Sequence, residues 1–174
     1  DHPARVHAQR DGEPPRRLER FNGDLLAKLR LGTPEDVRFK GAQGDEVQMW
    51  LSYPPGFDAK KKYPLLHVIH GGPHSAAGDS WHYRWNTAAF AAQGYVVCSV
   101  NYHGSSGFGY AFLDSISHRY GQLELQDIEA ATDELLKRPW ADRQRVFAAG
   151  GSYGGYSALI GMTIGATFAL SLIA

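Results

Sequence analysis

This sequence has only one cysteine, no excess of charge of either sign and no long apolar run. The single cysteine, Cys98, excludes an intramolecular disulfide, and its apolar setting in YVVCSV predicts a packed core thiol. Lysine plus arginine total 18, as do aspartate plus glutamate, so no global field favours nucleic acid or an anionic membrane surface as a partner. No run of 18 apolar residues is present, and we therefore expect no membrane-spanning helix.

The sequence shows no basic-then-apolar signal pattern and no internal repeat, and the compartment stays open. We expect a soluble protein that is cytoplasmic or, after loss of a signal peptide, periplasmic or secreted. What is present is the composition of a folded protein, with 43% hydrophobic and 12% aromatic residues. A chain of 174 residues is long enough for one domain with a sizeable core.

The first third of the chain changes from a polar segment to regular hydrophobic patterning. Residues 1–20 are charged and contain proline without apolar periodicity, which predicts a linker or tail. Residues 21–31 predict a short amphipathic helix with Asp24 near its start. Residues 35–54 alternate apolar and polar positions about a Gly-Asp turn, a pattern typical of a β-hairpin.

Beyond this hairpin, apolar strands alternate with helices. Buried strands are predicted at 63–70, 95–102, 145–151 and 166–174. Helices are predicted at 80–94, 123–140 and 153–165. The alternation indicates an α/β domain with a mostly parallel sheet, in which the chemistry lies at the carboxyl ends of the strands. Three glycine clusters fall at those ends, namely HGGPHSAAG, NYHGSSGFG and GGSYGG.

The last of these clusters places Ser152 between a predicted strand and a predicted helix. The stretch Gly150-Gly151-Ser152-Tyr153-Gly154 fits the G-x-S-x-G pattern of a nucleophile elbow. A sharp turn projects the hydroxyl, and Gly150 and Gly154 relieve the crowding because they have no Cβ. The helix start adds a dipole and the Tyr153 amide for a developing oxyanion. Two other interpretations stay open: a serine N-cap at a glycine-rich helix start, and a phosphate-binding loop, although the stretch lacks the spacing of known phosphate motifs.

The first cluster predicts a second main-chain donor. His70-Gly71-Gly72-Pro73 follows the first buried strand, as does the glycine motif that supplies the other oxyanion amide in esterases and lipases. Two glycines would let a backbone N–H approach a substrate oxygen closely. The alternative is a tight turn fixed by Pro73.

Five spaced motifs then carry a family resemblance. They are YPLLHVIHGGPH, YRWN, FAAQGYVV, NYHGSSGFG and AAGGSYGGYSAL. Together they resemble the catalytic domain of the prolyl oligopeptidase family of serine peptidases, and most of all its acylaminoacyl-peptidase and bacterial dipeptidyl-aminopeptidase branch. The resemblance runs from about Phe21 to the end of the chain. It departs at His103, where members of the family often have arginine.

The resemblance implies an α/β-hydrolase fold with Ser152 as nucleophile and the amides of Gly72 and Tyr153 as oxyanion hole. It implies cleavage of short peptides from their N-terminal end, or of esters, through an acyl-serine intermediate, and we expect no metal and no cofactor. Family members usually carry a β-propeller before the hydrolase domain. Residues 1–35 therefore resemble a linker with a short helix leaving such a propeller, and residues 36–174 part of the hydrolase domain.

A base and an acid for the serine are not evident. In α/β-hydrolases they follow the serine in the chain, yet residues 153–174 contain no Asp, Glu or His. We therefore expect a C-terminally incomplete hydrolase domain, completed by a further segment or a second chain. Among upstream histidines only His70 and His103 lie at strand ends on the active face, and the family pattern favours His70 as a brace of the oxyanion loop. Asp127 and Asp133 are expected to face solvent or to cap a loop.

Three functions follow as hypotheses. The first is a serine peptidase that removes short N-terminal pieces from peptides. The second is a carboxylesterase with the same elbow, since the sequence does not separate ester from amide cleavage. The third is a non-catalytic chain that retains the hydrolase fold.

Overall fold

The fold is built on one six-stranded sheet. A computed structural model describes the backbone of residues 3–164 and 170–173. The strands are β1 His7–Ala8, β2 Arg16–Arg17, β3 Pro34–Lys40, β4 Glu46–Ser52, β5 Tyr63–Ile69, β6 Val96–Asn101, β7 Ala141–Gly150 and β8 Leu170–Ile173. The helices are α1 Gly23–Leu26, α2 Thr87–Ala91, α3 Tyr110–Asp114, α4 Leu123–Leu136 and α5 Tyr153–Ile164, and a 3₁₀ turn spans Ala42–Gly44.

The sheet runs in the order β3-β4-β6-β5-β7-β8. The hairpin β3–β4 is antiparallel and joins β6 antiparallel, whereas β6, β5, β7 and β8 are mutually parallel. The predicted architecture, a mostly parallel sheet behind an N-terminal hairpin, is confirmed. The parallel strands β5, β6 and β7 therefore end at one edge of the sheet, where the glycine clusters begin.

Both faces of the central strands are buried, which explains their continuous apolar runs. Every residue of β6 is buried, including Cys98. One face packs against α4 through Leu125, Ile128 and Leu135. The other face packs against α2 and its neighbouring aromatic residues. Helices therefore cover the sheet from both sides, as a parallel sheet requires.

Two predicted helices are much shorter than the patterns indicate. Only Gly23–Leu26 of residues 21–31 is helical, because none of its residues is buried and a short helix without packing is unstable. Only Thr87–Ala91 of residues 80–94 is helical. The His82 ring there accepts the amides of Arg84 and Trp85, and the Asn86 side chain caps α2, so side chains bind the backbone groups that a longer helix would need.

The remaining differences are small. The segment predicted as a linker contains the antiparallel pair β1–β2, and α3 is an additional helix that the patterns do not predict. Helix α4 ends at Leu136, three residues before Pro139. Residues 166–169 and 174 of the predicted last strand lie outside the described residues, whereas β8 forms at 170–173. Across residues 3–164 and 170–173, no helix has both the length and the apolarity needed to cross a bilayer.

Candidate active site

The three glycine clusters meet at the carboxyl edge of the parallel strands. The HGGP turn follows β5 and the serine turn follows neighbouring β7, so the two turns touch. A Cβ placed on Gly71 would lie 2.8 Å from the Gly151 carbonyl oxygen and 3.3 Å from the Ser152 Cβ. The sheet topology alone thus brings the two sequence-predicted turns together.

Ser152 occupies a left-handed turn directly before α5. Its φ is 56°, a value that costs energy for any residue with a Cβ, and its side chain is exposed. The Gly154 amide donates to the Gly151 carbonyl at 3.0 Å and the Tyr156 amide to the Ser152 carbonyl at 3.1 Å, which closes the turn into the helix. An N-cap serine normally has extended backbone, so this geometry favours the elbow interpretation over the simple cap.

Gly150 and Gly154 sit where a side chain has no room. A Cβ on Gly150 would approach the Gly154 backbone to less than 3.0 Å, and one on Gly154 would approach the Ile69 carbonyl equally closely. The G-x-S-x-G spacing is therefore a packing requirement, since β5, β7 and the first turn of α5 are in contact at their backbones. This contact fixes the Ser152 turn against the end of β5.

The two expected oxyanion donors flank this turn. Gly72 has a φ of 52° and follows Gly71, the residue against the Ser152 turn. Tyr153 is the first residue of α5, so its amide belongs to the first turn, whose N–H groups have no partner within the helix. A helix start also carries partial positive charge, which suits an oxyanion.

The His70 side chain is bound by residues that follow β6. Its ring stacks on Tyr102 with centroids 4.2 Å apart, and Nε2 lies 3.1 Å from the Ser105 hydroxyl. The Tyr102 hydroxyl donates to the His70 carbonyl at 2.8 Å. Burial lowers the pKa of His70 to about 4, which keeps the imidazole neutral near pH 7. These contacts favour the bracing role of His70 over that of a catalytic base.

His103 lies between two carboxylates. Its Nδ1 lies 2.7 Å from Asp127 Oδ2, and its Nε2 lies 3.2 Å from Asp45. Asp127 is fully buried and also accepts the amides of His103 at 2.6 Å and Ala42 at 2.8 Å. Of the two expectations for Asp127, loop capping is therefore the one observed, whereas Asp133 is exposed. Burial is the main cause that raises the pKa of Asp127.

Sequence reasoning missed Glu124, which binds the side chain of the residue that follows Ser152. This glutamate is completely buried in the first turn of α4 and accepts a hydrogen bond from the Tyr153 hydroxyl. Its only signal in the sequence is an acidic residue between two leucines at a helix start. The tyrosine it holds also contacts Tyr120 and Tyr156, with ring centroids 5.5 and 5.2 Å away.

The match to a protein family covers this site. A profile of the prolyl oligopeptidase family matches residues 81–172, more than half of the chain. The chain belongs to the prolyl oligopeptidase family. This is a family of serine peptidases, and the sheet described above is its α/β-hydrolase fold.

Individual members of the family show the extent of the likeness. The probable dipeptidyl-peptidase 5 of Aspergillus terreus is 44% identical over 126 residues, which are 71% of this chain and 17% of that protein. The dipeptidyl-peptidase 5 of Porphyromonas gingivalis is 41% identical over 136 residues, 78% of this chain and 20% of that protein. The solved acylaminoacyl peptidase of Pyrococcus horikoshii matches with a TM-score of 0.87 at 31% identity, over 98% of this chain and 27% of that one.

The chain thus spans about a fifth of the length of these dipeptidyl-peptidases. Within the described residues, no group of three or more His, Cys, Asp or Glu side chains is arranged to hold a metal ion.

Proposed function

We propose that Ser152 is the nucleophile of a serine peptidase that removes short pieces from the N-terminus of peptides. The observation that carries the proposal is the exposed serine at a φ of 56°, between a parallel strand and a helix, with the HGGP turn in contact with it. A strained turn that projects a hydroxyl is the arrangement expected of a nucleophile elbow. Membership of a peptidase family and the similar dipeptidyl-peptidases support the choice of peptides as substrates.

In this proposal the Ser152 hydroxyl attacks the scissile carbonyl and forms an acyl-serine. The carbonyl oxygen becomes negatively charged and is stabilised by the amides of Gly72 and Tyr153. The amine leaves with a proton, and water then hydrolyses the ester to regenerate the serine. The HGGP turn and the serine turn are held in place by three residues: His70, Gly150 and Gly154.

The proton transfers require a histidine and an aspartate. Neither His70 nor His103 serves, because the first is engaged with Tyr102 and Ser105 and the second with Asp127 and Asp45. We therefore propose that the base and acid come from outside these 174 residues, in a longer polypeptide or a second chain. Residues 1–35 would then connect this part of the domain to a preceding one. Loss of a triad base costs several orders of magnitude in rate, so the chain alone should be nearly inactive.

Substrate comparison separates the peptidase from the carboxylesterase. A form that contains the proposed base and acid is assayed with a dipeptidyl-anilide and with a short acyl ester, and Ser152→Ala is the control. The peptidase proposal predicts hydrolysis of the anilide that disappears in the variant. Ester hydrolysis without anilide hydrolysis would favour the carboxylesterase. Folded protein inert to both would favour a non-catalytic chain.

A further inference from the structure

A buried carboxylate accepts a hydrogen bond from the side chain of Tyr153, the residue whose amide is a proposed oxyanion donor. Glu124 has no exposed surface, and among the described residues no lysine or arginine forms an ion pair with it. Burial of a charged group without a counter-ion is expensive, so each of its hydrogen bonds matters for the energy of the fold. Its position at the start of a helix does not by itself explain why a carboxylate is buried here.

Three donors from two parts of the chain converge on this carboxylate. The Gly121 amide and the Tyr153 hydroxyl both donate to Oε1, and the Gln122 amide donates to Oε2 at 3.1 Å. An ionised carboxylate only accepts hydrogen bonds, and it suits three donors better than an amide or a hydroxyl would. Glu124 thereby ties the start of α4 to the start of α5.

Tyr153 is the residue through which this tie reaches the active site. It directly follows Ser152, and its own amide is one of the two proposed oxyanion donors. Burial and the hydrogen bond to Glu124 both raise the pKa of the Tyr153 hydroxyl, so the phenol keeps the proton that it donates. With its hydroxyl held and its ring against Tyr120 and Tyr156, Tyr153 has a fixed side chain.

We propose that Glu124 is a positioning residue for the oxyanion hole, which acts by holding the Tyr153 hydroxyl and so orienting the peptide between Ser152 and Tyr153. This inference rests on the proposed function, because it assigns a task to the same site. A role confined to the start of α4 would need only the two amide bonds at Gly121 and Gln122. The Tyr153 hydroxyl therefore distinguishes the two roles.

The test uses Tyr153→Phe, which removes the hydroxyl and leaves the amide bonds of Glu124 intact. Its matched control is Tyr63→Phe, which also removes a hydrogen-bonded hydroxyl but lies at the first residue of β5, at the amino end of that strand. Kinetics on the catalytically competent form should show kcat about tenfold lower for Tyr153→Phe with KM nearly unchanged, because a misaligned donor weakens transition-state binding. A peptidyl boronate, which mimics the tetrahedral intermediate, should bind about tenfold more weakly, whereas the product peptide binds as before. Tyr63→Phe should leave all four values unchanged.

A second variant tests the role of the Glu124 carboxylate itself. Glu124→Gln keeps the size of the side chain but replaces one acceptor oxygen by an NH2 group, so at least one of the three donors loses its acceptor. The double variant with Tyr153→Phe should lose less kcat than the two single losses combined, because the Tyr153 hydroxyl acts through this side chain. Thr132→Val, another buried polar residue of α4, should lower stability without lowering kcat. Wild-type kcat and boronate affinity in Tyr153→Phe, or additive losses in the double variant, would overturn the positioning role. Activity that persists in Ser152→Ala would instead overturn the proposed function on which it rests.

Discussion

Replacement of Gly154 by alanine tests the packing of the turn at Ser152, because two physical effects predict opposite changes in the free energy of unfolding. Gly154 lies in the first turn of α5, where helix propensity favours alanine by about 1 kcal/mol. The added Cβ, however, would approach three backbone atoms to 3.0 Å or less, namely the Ile69 oxygen and carbon and the His70 oxygen. Ordinary van der Waals contact begins at 3.4 Å.

The backbone at Ile69 has no freedom to move away. Strand β5 lies inside the sheet, paired with β6 on one side and with β7 on the other. The first turn of α5 must therefore shift away from β5, and Ser152 shifts with it. Overpacking of this kind costs about 1–3 kcal/mol, which exceeds the propensity gain. A displacement of about 1 Å at the nucleophile lowers the rate by about 100-fold.

Urea unfolding and steady-state kinetics on the same preparations measure both effects. We expect a lower unfolding midpoint and the stated loss of Ser152-dependent activity for Gly154→Ala. The control is Gly78→Ala, where the new Cβ meets nothing within 4 Å, so the change should stay below about 0.5 kcal/mol. A Gly154→Ala protein that is as stable and as active as the wild type would refute the packing argument.

Three further predictions concern buried polar groups. Burial lowers the pKa of His67 to about 4, so the free energy of unfolding should fall by about 3 kcal/mol as the pH decreases from 6.5 towards 4. In urea unfolding, the difference in stability between pH 7 and pH 4 should be smaller for His67→Gln than for the wild type, and an equal difference would contradict this prediction. Asp127→Ala should lower the free energy of unfolding by about 3 kcal/mol or more, because it leaves the buried His103 and two amides without their acceptor. The control Asp133→Ala, at an exposed position, should change it by less than about 0.5 kcal/mol, and similar losses in the two variants would show that the Asp127 contacts are unimportant. Burial removes Cys98 from solvent and raises its pKa, so a thiol reagent should react with it only after unfolding, and rapid reaction of native protein would be inconsistent with this core.

The elbow could be predicted from the sequence because its determinants are local. Gly150, Ser152 and Gly154 lie within five consecutive positions, and their spacing follows from the lack of room for a side chain at the two glycines. The parallel sheet was equally accessible, because strands buried on both faces leave continuous apolar runs. The order of the strands was not predicted, and it is this order, with β5 beside β7, that places the HGGP turn against the serine turn.

Contacts between distant segments could not be predicted in the same way. The bond between Tyr153 and Glu124 joins residues 29 positions apart, and neither residue type in isolation indicates it. The burial of Asp127 depends on His103 and on the turn at Ala42, which the fold brings together from 24 and 85 positions away. The length of the helix predicted at 80–94 was overestimated because local side-chain caps at His82 and Asn86 replace the expected helical bonds.

Mapping the adduct of a fluorophosphonate by mass spectrometry tests the central claim most directly. The reagent phosphonylates only a serine whose hydroxyl is exposed and activated beside oxyanion donors. In the form that carries the proposed base and acid, the account predicts one adduct, on Ser152, that Ser152→Ala abolishes. An adduct on another residue, or folded protein that acquires none, would contradict the assignment of Ser152 as the nucleophile.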